Sequence, residues 1–147
     1  MPVGGTGLRG VCAALALAVP GGGLAAQGGP LVLPSGVTAT HHETIWDEDG
    51  SLIRLRYIVP RLAEPGSLYA GDALRIFEDM LWLCETQLVG ADMDGATLRE
   101  QGWDGVVISL MDRPLEFGVR DPDVFQVFEL FSLTMDGCDL DLDDYHD

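Results

Sequence analysis

Residues 70–89 read AGDALRIFEDMLWLCETQLV, and the fold of the whole chain turns on how this stretch is arranged. Ala70, Leu74, Phe77, Leu81, Cys84 and Leu88 recur at steps of four, three, four, three and four. That spacing predicts one apolar stripe of an amphipathic helix. Ala73 and Met80 flank the stripe, while Asp72, Asp79 and Thr86 fall opposite it, with Arg75 one turn from Asp79. Ser67, or a residue shortly after it, is the expected N-cap. Ile76 and Leu83 lie on the back of this helix. Either the Gly90–Gly105 segment, with Trp103, folds over them or they form a partner surface.

Upstream, Val37–Trp46 is rich in Thr and β-branched residues, as a strand prefers. Asp47-Glu48-Asp49-Gly50 is a turn signal and Ser51–Val59 a second strand. Ile53, Leu55, Tyr57 and Val59 share one face of that strand, and Arg54, Arg56 and Ile58 the other. A four-residue hairpin loop sets Glu43 opposite Arg54, and an Asp49-Gly50 turn sets it opposite Arg56. Either register places His41 and Glu43 on the arginine face. Downstream, Val106–Met111 reads as a fully buried strand. The Phe- and Val-rich run at 124–134 reads as another, by its alternation and the Asp136-Gly137 turn after it, although its spacing also admits a helix. A last strand begins near Cys138. The expected fold is therefore α+β in two layers, a mostly antiparallel sheet with the one long amphipathic helix packed on one face.

The chain opens as a secretory signal does. Arg9 precedes an apolar run from Val11 to Val19, and Pro20 and glycines follow before small residues at Gly23, Ala25 and Ala26. The run is about half the ~20 residues a membrane-spanning helix needs, so no stable anchor is expected after cleavage. The predicted organisation is a signal peptide at 1–26, a linker at 27–35, a single domain at 36–142 and an acidic tail at 143–147. The expected location is periplasmic or secreted.

Composition narrows the chemistry. The net charge of −16 argues against nucleic-acid partners, which attract proteins through Lys and Arg. All eight basic residues are Arg, which excludes a Schiff-base or P-loop lysine. After leader removal Cys84 and Cys138 remain, an even pair suited to an oxidising compartment and expected to form a disulfide. The alternative, a catalytic thiol at Cys84, would sit near a helix C-terminus, where the dipole opposes a thiolate.

No catalytic, metal or cofactor set emerges from spacing. His41-His42 are strand neighbours that point to opposite faces. The Asp139–Asp144 run offers only a loose arrangement for a hard cation. Ser109 lacks a nucleophile elbow and reads as a core-edge serine. Asp112 and Glu116 form either an acid–base carboxylate pair or a turn in which Asp112 caps and Arg113 neutralises. The most specific polar group is His41, Glu43, Arg54 and Arg56, readable as an anion site or as cross-strand ion pairs.

Trp82-Leu83-Cys84-Glu85, Asp112-Arg113-Pro114-Leu115-Glu116-Phe117-Gly118 and Asp136-Gly137-Cys138 together resemble a bacterial domain-of-unknown-function family of short exported proteins, family number 6497. The likeness spans Leu33–Asp141 and implies export and domain extent, with no catalytic residues to carry over. The function expected is a non-enzymatic binding or interaction module with a protein or small-molecule partner. The rival is a small periplasmic hydrolase using acidic residues or the His41 cluster.

Overall fold

The computed structural model describes residues 29–66, 71–88, 95–135 and 137–140. Six strands stand side by side in chain order in one curled, half-barrel sheet. They are β1 (Leu31–Val32), β2 (Thr38–Asp47), β3 (Leu52–Ile58), β4 (Gly105–Met111), β5 (Gln126–Leu133) and β6 (Cys138–Leu140). Neighbours run antiparallel except β3 and β4, which are parallel.

This overturns the expected two-layer plan with a long helix laid on one face. A parallel pair cannot be closed by a hairpin, so residues 59–104 form a crossover. It holds a 3-10 turn at Pro60–Ala63, α1 (Ala73–Leu83), a π turn at Cys84–Leu88 and the short α2 (Gly95–Glu100). The helix is thus a connection of modest length. Because the sheet curls, its concave side supplies most of the core itself. Ile53, Leu55 and Tyr57 of β3, Val106, Ile108 and Leu110 of β4, and Phe131 and Leu133 of β5 form one buried cluster.

Local chemistry explains the strands. β2 and β3 close at Asp47 opposite Leu52, and Asp47 Oδ1 accepts from the Gly50 N–H at 3.2 Å, tightening the turn. β3 buries its Ile53, Leu55, Tyr57 face as alternation requires. β4 is buried at every position, the pattern of a parallel strand covered on both sides. It opens at Gly105 because a Cβ there would sit 2.8 Å from the Phe131 carbonyl oxygen.

The inward face of the helix overlaps the predicted stripe only in part. Phe77, Leu81, Cys84 and Leu88 meet the core as expected, but Leu74 does not and Asp79, expected opposite, is buried. Asp72 is the N-cap, accepting from Arg75 N–H at 3.0 Å; Ser67 lies outside the described residues, as does Ala70. Asp79, Met80, Leu83, Cys84 and Leu88 are buried, whereas Leu74 is 67% exposed. Phe77 is half-buried and tilts against Phe131, ring centroids 5.7 Å apart. The cause is Asp79, whose carboxylate accepts from the backbone N–H of Ser35 at 3.0 Å and from its hydroxyl. A fully buried carboxylate is tolerable when hydrogen-bonded in this way. Trp103 meets Trp46 edge-on, centroids 5.2 Å apart, and joins Ile76 at the margin of the core. Cys84 and Cys138 are bonded with Cα atoms 6.2 Å apart, tying the π turn to β6. The predicted leader at 1–26 and acidic tail at 143–147 lie outside the described residues. No helix among the described residues is long and apolar enough to cross a membrane.

Candidate functional site

Strand register builds the site on the convex side of the sheet. Glu43, Arg56, Ser109 and Phe128 stand in one row across β2, β3, β4 and β5, and Ile45, Arg54, Val107 and Leu130 in the next. Arg56 is 2% exposed. Its guanidinium pairs with Glu43 through Nη1, donates from Nη2 to the Leu115 carbonyl at 2.6 Å, and lies 3.7 Å from Met111 Sδ. Arg54 places Nε and Nη2 on Asp47 Oδ2 at 3.1 and 2.9 Å. That contact holds the Asp47 carboxyl below the usual carboxylate range.

The segment from Asp112 to Phe125 covers these arginines. Its ends are clasped: Asp112 N–H donates to the Phe125 carbonyl at 3.0 Å, and Phe125 N–H donates to Asp112 Oδ1 at 2.7 Å. Arg113 braces the interior by donating to the Asp123 carbonyl at 2.9 Å. Arg56, through Leu115, pins the segment to the sheet. The Phe117 ring then lies over both guanidiniums, 5.2 Å from Arg54 and 5.7 Å from Arg56, in cation–π geometry. Between segment and sheet is a cleft of about 220 Å³ whose walls include Arg54, Arg56, Ser109, Phe117, Arg120 and Phe128. Among the described residues Arg120 has neither a hydrogen bond nor an ion pair, and its side chain is exposed.

The structure brings Glu43 and Arg56 into direct contact and sets Arg54 beside them. It removes His41. A β-bulge between His41 and Glu43 shifts the register, so that Glu43 opposes Arg56 but His41 opposes Tyr57 on the concave side. There His41 packs edge-on to Tyr57 at 5.5 Å, with Nε2 2.8 Å from Thr44 Oγ1. Burial lowers the His41 pKa, helped by the neighbouring His42 and opposed by Glu43, and burial pushes the Tyr57 phenol up. Asp112 is engaged by Phe125 N–H and by Arg113 Nε at 3.1 Å, so its carboxylate caps the segment and does not line the cleft that Glu116 lines. No group of three or more His, Cys, Asp or Glu among the described residues is placed to hold a metal. His146 and most of the Asp139–Asp144 run lie outside them.

Sequence reasoning missed Phe117, Arg120 and Phe128, and took Ser109 only as a core-edge residue. Ser109 was within reach, since strand parity sets it with Val107 on the face that opposes Arg54 and Arg56. Phe117 and Arg120 were not, because a turn at Gly118 (φ +84°) sets their directions.

Residues 12–142 match a family of unknown function, DUF6497, and the chain belongs to that family. The match begins upstream of the Leu33 that the resemblance implied. No curated protein and no solved structure matches the chain.

Proposed function

We propose that this member of DUF6497 is an exported, non-enzymatic binding protein that holds a small anion in the cleft beneath Phe117. Export is supported by the apolar run Val11–Val19 with its small-residue ending, and by a disulfide of the kind that persists in oxidising compartments. The observation that carries the binding reading is Arg120, a guanidinium without an ionic partner among the described residues. It stands at a cleft already walled by Arg54 and Arg56, in a chain of net charge −16. Three of the eight arginines line the cleft, and Asp47 and Glu43 neutralise two of them, which leaves Arg120 as the guanidinium open to a ligand. Guanidiniums are the side chains best suited to carboxylate and phosphate groups.

The test uses the chain recovered from the exported fraction, with its N-terminus near Ala26 or Gln27. Thermal-shift screening against anionic metabolites is expected to find a stabilising anion, and Arg120→Ala to abolish that stabilisation without changing the unliganded melting temperature. Recovery only of a full-length chain from the cytosol overturns the export half. A screen with no response, or a response unchanged in Arg120→Ala, overturns the binding half.

A further inference from the structure

The cleft is not uniformly polar, and its mixture restricts what it can hold. Phe117 is 51% exposed, Val119 47% and Phe128 70%, and all three line the same cleft as the arginines. Large apolar side chains left open around a concave polar centre mark a place where an apolar body is covered.

Charge sets a second restriction. Arg54 is matched by Asp47 and Arg56 by Glu43, while Glu116 lines the cleft opposite no cation of its own in any hydrogen bond or ion pair among the described residues. Of the described arginines that line the cleft, Arg120 alone remains to meet a ligand's charge, and Glu116 opposes a second negative charge. Size sets the third. A cavity of about 150 Å³ holds one benzene ring, and drug-sized ligands need about 300–1,000 Å³. The cleft's volume of about 220 Å³ falls between them.

Resting on the anion-binding reading above, we infer that the ligand is a monocarboxylate carrying one aromatic ring. Its carboxylate meets Arg120, and its ring lies among Phe117, Val119 and Phe128.

Isothermal titration of the purified mature protein with phenylacetate, acetate and inorganic phosphate tests this. Phenylacetate is expected to bind more than about tenfold tighter than acetate, since burying a phenyl group is worth at least one such factor. Phosphate, a large part of it dianionic at neutral pH and without an apolar body, is expected to be the weakest. Phe128→Ser, at an exposed position, is expected to remove the advantage of phenylacetate over acetate with the melting temperature unchanged, whereas Arg120→Ala weakens both. Equal binding of acetate and phenylacetate overturns the aromatic assignment. So does phosphate binding that is tightest of the three and lost in Arg120→Ala, and in both cases the anion-binding reading stands. Absence of binding by all three overturns the inference and the reading beneath it.

Discussion

The two sides of β3 are closed by different physics. On the concave side Ile53, Leu55 and Tyr57 disappear into a cluster with Val106, Ile108, Leu110 and Phe131. Packing of that kind is non-directional and shared among many neighbours. On the convex side Arg54 and Arg56 alternate with those residues, and closure depends on a few directed contacts. Chief among them are the Arg56–Glu43 pair, the Arg56–Leu115 hydrogen bond and the Phe117 lid. The concave side is closed by side chains that are buried against one another. The convex side keeps a cleft, because hydrogen bonds fix the covering segment at points without filling the space between them.

The comparison is most severely tested at Phe131, which is fully buried. Phe131→Ala is expected to lower stability by about 3–5 kcal/mol in urea melts, the usual cost of removing a core ring. A smaller loss would mean that the concave side is looser than its burial implies.

Next comes Arg56→Ala, expected to cost about 2–3 kcal/mol. This is below the usual penalty for breaking a buried pair, because Glu43 is 38% exposed and regains water. Arg56→Met combined with Glu43→Gln keeps the volume and removes both charges, and is expected to recover most of that loss. Failure of the double variant to recover, in the same melts, would show that the Leu115 hydrogen bond rather than the ion pair dominates the convex side.

The smallest expected effect is electrostatic and belongs to His41. Its folded pKa lies below the ordinary 6.5, so the unfolded chain takes up the proton first. Its contribution is therefore complete above pH 6.5 and is lost as pH falls from there through the folded pKa. Urea melts at pH 7.5 and 5.5 are expected to show this loss, and His41→Gln to reduce it. An unchanged pH dependence in that variant would place the loss on other groups.

Alternation made β3 legible, because a half-buried strand writes its two faces into the order of its residues. β2 was legible from its Thr and β-branched content, and at β5 alternation favoured a strand while the spacing still admitted a helix. The run Val106–Met111 was legible as buried, but its uniformity is also the mark of parallel pairing, which the expected antiparallel sheet did not use. The helix and much of its inward stripe were legible, with Phe77, Leu81, Cys84 and Leu88 at the core, but the burial of its Asp79 side was not. Asp79 is hydrophilic by type yet lies at 0% exposure, because its partner Ser35 is 44 residues earlier, and no local pattern reports that distance. The bulge at His42 was equally silent: one extra residue exchanges the faces of everything before it, and neither hairpin register allowed for it. The arginine face was legible from parity. The ring and the unpaired guanidinium that turn it into a cleft came from a covering segment whose path the spacing could not give.

The parallel seam between β3 and β4 also divides the chain in time. The β2–β3 hairpin needs only neighbouring residues and can pair as soon as they are free, whereas the seam waits until residue 111 has been delivered. Bringing its edges together closes a loop spanning residues 59–104, and such non-local pairing is what slows folding. For an N-terminus-first chain, the early hairpin therefore stands with Ile53, Leu55 and Tyr57 bare. Until the seam forms, that apolar face has no β4 beside it to complete its cover.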